Sequence, residues 1–369
     1  MRFIRPRAAT RLPCLAALVL ALGGGTGMSA MADAASPASA RPVVLRFLNA
    51  PRDGGPLVHP PRLGIAIGGP ARPAVLDTGS TGIVISASSI PNLAALPDLG
   101  EGRLTYSSSG RIMIGRYVRT PVTLSGADGG ALTTRPLPVL AVTRIACLRT
   151  ARNCRPNDAP RGVAMLGVGF AREKDGQAGG TPDKNPFLNL PGMADPTQHA
   201  PGTRGALGRG YILSRSQVQV GLGERDGDAF ARMALAASPI AGEWQPPAAC
   251  FALNHRAPAA CGSLLVDTGV TRSFLTVPEA QFSGLLAPDG RLLLADGVRV
   301  DILPAPDKDE PRYSFVAGDR ADPLAPDEVV LVPRPGRSAF LNTSVRLLNG
   351  FDYLFDADGG AVGLRRIPR

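Results

Sequence analysis

An eleven-residue frame occurs twice in this chain. Val75-Leu76-Asp77-Thr78-Gly79-Ser80-Thr81-Gly82-Ile83-Val84-Ile85 is echoed by Leu265-Val266-Asp267-Thr268-Gly269-Val270-Thr271-Arg272-Ser273-Phe274-Leu275. In each copy an apolar strand runs into Asp-Thr-Gly and a second apolar strand follows, with the two aspartates 190 residues apart. That separation is about one lobe, so a duplicated lobe is the natural inference. One Asp-Thr-Gly alone is weak evidence, because Asp and Gly mark turns in proteins of every kind. Two copies in matching frames make chance turn residues the poorer reading.

The rest of the chain reads as mainly β with few short helices. Its 44 glycines and 36 prolines punctuate short apolar runs such as Leu63-Gly64-Ile65-Ala66-Ile67 and Gln217-Val218-Gln219-Val220, the pattern of short strands separated by turns. Helical periodicity is confined to short pieces near Pro278 to Leu286 and Ser344 to Asn349. Residues 171–209, rich in Gly, Pro, Asp, Lys and Gln with Phe187-Leu188-Asn189-Leu190 as an apolar island, read as a long, partly mobile excursion.

Residues 1–34 have the order of a secretory signal: Arg2, Arg5, Arg7 and Arg11, an apolar run Leu12 to Leu22, then small residues through Ala30, Ala32 and Ala34. A run of about 11 residues is short of the roughly 20 that span a bilayer, and Cys14 sits inside it rather than at its far end behind small residues, against lipid attachment. The expected address is periplasmic or extracellular. The other four cysteines fall into two close pairs, Cys147 with Cys154 and Cys250 with Cys261, most simply two short-loop disulfides in an exported chain. His59, His199 and His255 are scattered, and no C-x-x-C occurs, so no metal site is expected and no cofactor. The formal charge is +10, or +7 without the signal's four arginines and Asp33. The basic residues are dispersed and aromatics make up 5%, so no stacking platform or basic stripe for nucleic acid emerges. A basic surface would favour acidic substrates or anionic envelope polymers. Gly-x-Ser-x-Gly is absent, against a serine hydrolase.

Chemically, a strand that delivers Asp into a tight turn fixes its carboxylate, Gly lets the backbone approach closely, and the Thr hydroxyl braces the turn from beneath. If two such turns face each other, Asp77 and Asp267 cannot both ionise easily and share one proton. One then takes a proton from water while the other polarises a carbonyl, which is metal-free amide hydrolysis. On these residues the chain resembles the pepsin-like aspartic peptidases, the standard instance of that chemistry. Leu63 to Ala71 looks like the family's first hairpin. Ala164-Met165-Leu166-Gly167-Val168-Gly169 is similar to its crossing element behind the first catalytic turn, and Phe351 to Asp356 followed by Ala361 to Leu364 looks like its closing strands.

The resemblance implies a bilobal pepsin-like fold with pseudo-twofold symmetry: an N-terminal lobe 41–223, a C-terminal lobe 224–369 and a peptide cleft between them, in a divergent, bacterial, exported and monomeric member. It implies Asp77 and Asp267 as the catalytic pair of an aspartic endopeptidase, supported by Thr78, Gly79, Ser80, Thr268 and Gly269. Its flap would be 104–118, with Ser107-Ser108-Ser109-Gly110 as the turn and Tyr106 beside the position of the family's flap tyrosine. Three departures stand out. Val270 replaces the hydroxyl residue equivalent to Ser80, so Asp267 is expected to lack a donor and to hold its proton more firmly. Val84 stands where the family has a flap-bracing tryptophan. Asn342 replaces the glycine of the second crossing element, a change read as tolerable because Asn accepts left-handed backbone. These departures sustain a second reading, a catalytically silent protein of this fold that binds a peptide or protein partner in the cleft.

Overall fold

The computed structural model describes residues 41–151, 154–173, 175–196, 204–304 and 313–368; the export signal expected over 1–34 lies outside them. These residues form three sheets, nearly all of them from the short apolar runs. A nine-stranded sheet lies wholly within residues 62–168 and a seven-stranded sheet within 248–342. A six-stranded antiparallel sheet joins Val43–Arg46, Gly208–Leu213 and Gln217–Leu222 to Ala231–Ala234, Phe351–Asp356 and Ala361–Arg366. The architecture is the all-β, bilobal, pepsin-like one.

The sequence repeat is also a repeat in space. In the first half, Ala164–Val168 lies between Arg72–Asp77, with which it is parallel, and Thr81–Ser86, with which it is antiparallel. In the second half, Ala339–Asn342 lies in the same way between Ala260–Leu265 and Ser273–Thr276. The strand Thr81–Ser86, paired on both sides within its sheet, is buried at all six residues rather than at alternate ones, as a strand covered on both faces is. The edge hairpin does alternate. Asp98–Tyr106 pairs with Arg111–Thr120, burying Leu104 and Met113 while Arg103 and Arg116 face water.

The six-stranded sheet supports the first turn from below. Tyr211 donates its hydroxyl to Val168 O at 3.0 Å, and Phe170 stacks on Phe355 with centroids 4.3 Å apart, so the chain leaving Gly167 is held by aromatic packing. Arg209 and Asp358, both buried, tie this sheet to its closing hairpin: the Arg209 backbone N–H and Nε each donate to the carboxylate at 2.7 Å.

Described residues of the 171–209 stretch lack sheet structure until Gly208, yet Phe187, Leu188 and Leu190 are buried, and the buried Asn189 amide donates to three carbonyls, Pro182, Asp183 and Asn185. Residues 197–203 lie outside the description. The short helical pieces fall at Glu279–Phe282 and Val345–Asn349. Cys147 is bonded to Cys154, and Cys250 to Cys261 directly across an antiparallel pair of strands.

Candidate active site

The two Asp-Thr-Gly turns meet. Thr78 N donates to Thr268 Oγ at 3.1 Å and Thr268 N to Thr78 Oγ at 3.0 Å, while each hydroxyl donates onward to the strand entering the opposite turn: Thr78 to Val266 O at 2.6 Å, Thr268 to Leu76 O at 2.7 Å. All four bonds are buried, where a missing partner is most costly, so the turns lock each other in register. The threonines brace the turns across the pair rather than each within its own.

The carboxylates project from this lock in near-symmetry. Gly79 N donates to Asp77 Oδ1 at 2.7 Å, and Gly269 N to Asp267 Oδ1 at 2.8 Å. A β-carbon on Gly79 would lie 2.5 Å from Asp267 Cγ, and one on Gly269 would collide with the Asp77 carboxylate. Glycine is therefore required at both positions by the close approach of the opposite aspartate. Asp77 is 4% exposed and Asp267 6%. Burial pushes the Asp267 carboxyl up to about 7, and the negative charge of Asp77 adds to the rise; donors at Asn342 and Gly269 and the charge of Arg172 oppose it.

The outer oxygens are served by different devices. Ser80 Oγ donates to Asp77 Oδ2 at 2.5 Å. At Asp267 the side chain of Val270 offers nothing, and the Asn342 amide donates to Oδ2 instead. Two sequence expectations change here. Asp267 does not lack a side-chain donor, and its raised pKa comes first from burial. Nor is Asn342 tolerated for left-handed backbone: it ends the strand Ala339–Asn342, and the positive φ belongs to Ser344, at +66°. Its Oδ1 accepts from Ser344 N at 3.0 Å, which fixes the amide orientation. The strand registers show which residues correspond: Asn342 pairs with Leu265 and Phe274 as Met165 pairs with Val75 and Val84, so Asn342 stands at the place of Met165 and not at that of Gly167. The donor to the outer oxygen thus comes from the turn, through Ser80, in the first half and from the crossing strand, through Asn342, in the second.

Beside the dyad lies a cleft of about 540 Å³ lined by Asp77, Asp267, Val270 and Asn342 together with Tyr106, Ser107, Ser108 and Ser109 of the edge hairpin. The hairpin turn closes through Gly110 N to Tyr106 O at 2.8 Å, with Gly110 at φ +69°. Tyr106 packs on the small apolar cluster that includes Val84, and its hydroxyl is buried without a hydrogen-bond partner. Burial raises its pKa well above 10, the charge of Asp77 adds, and Ser80 opposes.

Two further residues escape a reading of motifs. Gln177, 4% exposed, accepts from Thr81 N at 3.1 Å and donates to Gly79 O at 3.2 Å, clamping the first turn. Arg172, 5% exposed and paired with Asp175, stands in the cleft wall and acts electrostatically on Asp267. Both come from the Gly- and Asp-rich start of the 171–209 stretch, which carries no pattern that marks them. Among the described residues no group of three or more His, Cys, Asp or Glu side chains is arranged to hold a metal.

No protein-family model matches the chain, and no curated protein matches it in sequence. Among solved structures it is similar to an aspartic proteinase from Irpex lacteus, at 14% identity over 88% of this chain and 97% of that one, with a TM-score of 0.52. At that identity the likeness shows the fold.

Proposed function

We propose that the protein is an exported aspartic endopeptidase that hydrolyses peptide bonds with Asp77 and Asp267. An extended polypeptide occupies the cleft beneath the hairpin 104–118. Asp267, whose carboxyl is raised to about 7 by burial and by Asp77, keeps the shared proton and donates it toward the substrate carbonyl oxygen. Asp77, its carboxylate stabilised by Ser80 and Gly79 N, accepts a proton from the attacking water as the water oxygen bonds to the carbonyl carbon. That proton passes to the amide nitrogen as the C–N bond breaks, and the diol returns a proton to Asp267 as it collapses to the carboxyl product. No group outside the pair needs to change its proton count over the cycle.

The observation that carries this reading is the reciprocal lock of Thr78 and Thr268, which brings two buried carboxylates into apposition with one donor on each outer oxygen. The alternative, a silent binder, draws on Val270, on the altered flap with Val84 in place of the bracing tryptophan, and on Asn342; the Asn342 donor to Asp267 supports the peptidase reading against the first and the third. The test is cleavage of a denatured protein between pH 3 and 7 by the wild type, Asp77→Asn and Asp267→Asn. Loss of cleavage in both variants, with unchanged far-UV circular dichroism, is expected. Cleavage that survives either substitution rejects the proposal.

A further inference from the structure

The cleft does not end at the two carboxylates. Arg172, Asp175, Leu265, Thr276, Arg334 and Phe340 line both it and a second cavity of about 340 Å³, so the two adjoin. Phe170, Met233, Pro246, Leu264 and Val362 give the second cavity apolar walls, and its size suits one or two side chains.

Its rim carries the tetrapeptide Arg334-Pro335-Gly336-Arg337. Arg337 N donates to Arg334 O at 3.1 Å, and Gly336 has φ +73°. Proline second and a left-handed glycine third are the residues a type II β-turn requires, and the first and fourth Cα atoms of such a turn lie within about 7 Å. The turn therefore starts two arginine side chains side by side, and both line the cavity. Among the described residues neither has a carboxylate partner, whereas Arg172 is paired with Asp175 and Arg272 with Glu328. The acidic groups on the same cavity are Asp175, held by Arg172, and Glu173. Three arginines against two carboxylates leave the cavity net positive, with its surplus charge on the turn.

We propose that this cavity is a substrate subsite: it seats an apolar side chain of the bound polypeptide, and Arg334 and Arg337 hold a carboxylate next to it. Substrates are then selected for a negative charge within a few residues of the bond cut. The proposal rests on the peptidase reading for its biological sense, but binding tests it without turnover. Paired guanidinium groups match carboxylate geometry. At an exposed rim their effect is modest, about 10-fold in affinity.

The experiment measures, by fluorescence anisotropy, the binding of labelled peptides to full-length Asp77→Asn protein. One pair of peptides contains Phe-Glu or Phe-Gln internally; a second pair ends in Phe with a free carboxylate or an amide. A side-chain clamp favours Phe-Glu over Phe-Gln by about 10-fold; a chain-end clamp favours the free acid over the amide instead. Either preference must fall with added salt and disappear in Arg334→Gln/Arg337→Gln, while the neutral peptides keep their affinity. Equal binding within both pairs, or a preference that survives the double substitution, overturns the clamp. Wild-type cleavage of the neutral peptides in that event leaves the peptidase reading standing; failure of every peptide to bind removes both.

Discussion

Replacing Asn342 with alanine takes one buried donor from Asp267 and one acceptor from Ser344 N. A hydrogen bond to a charged group is worth about 1.5–3 kcal/mol, and each pKa unit corresponds to about 1.4 kcal/mol. Loss of the donor destabilises the ionised form, so the shared proton should bind more tightly by about 1–2 units. On the proposed mechanism, loss of that proton near the raised value of about 7 at Asp267 sets the alkaline limb of kcat/KM against pH in the wild type. In Asn342→Ala this limb should move upward by the same 1–2 units. The stranded Ser344 N–H, fully buried, should also cost about 1–3 kcal/mol of stability, to be read from the urea midpoint. Adding Val270→Thr places a hydroxyl on the turn where Ser80 stands in the other half, and should bring the limb back down. A folded Asn342→Ala enzyme whose alkaline limb stays within about 0.3 units of the wild type, below the shift that a lost charged hydrogen bond implies, would refute the exchange of donors.

Stability should be greatest in acid. Asp267 and Glu243 are both raised to about 7, in each case chiefly by burial, against unfolded values near 4. Their contribution is full below the unfolded values and is lost as pH rises through the folded ones, so Tm should fall between pH 4 and 8. Glu243→Gln removes on the order of 3 kcal/mol of that dependence and should raise Tm at pH 8; an unchanged pH slope in calorimetry contradicts this. Asp358→Ala strips the buried Arg209 of a partner that accepts from both its backbone and its side chain, and should cost about 3–5 kcal/mol in urea denaturation; a loss below about 1 kcal/mol, the value of an exposed pair, counts against a structural role for the pair.

What could be read in the sequence was what the backbone itself requires. Gly79 and Gly269 are fixed by the approach of the opposite carboxylate, Gly167 by the crossing of three strands, and Gly110 by a left-handed turn. Such demands leave a residue type at a fixed spacing. The reciprocal bonds of Thr78 and Thr268 were half legible, since the residue type marks a bracing hydroxyl but not its partner 190 positions away. The contact of Asn342 with Asp267 was not legible, because any polar residue at that point looks like a lost glycine until the neighbouring strand is seen. Gln177 and Arg172 were hidden for another reason: they reach the dyad from an irregular segment, where no periodicity says which side chains turn inward. For Asn342 one signal was available. A missing donor at Val270 and an added one at Asn342 are complementary changes on neighbouring elements, and reading them as a pair would have suggested the contact.

The claim on which the rest depends is that Asp77 and Asp267 hold one proton between them. Carbon-13 NMR of aspartate-labelled protein, with Asp77→Asn and Asp267→Asn to assign the two carboxyl signals, titrates the pair directly. The account predicts that the wild-type pair still binds a single proton at pH 6 and releases it near 7, and that removing the charge of Asp77 lowers the titration of Asp267. Two signals that both ionise below pH 5, each indifferent to the loss of the other, would contradict it.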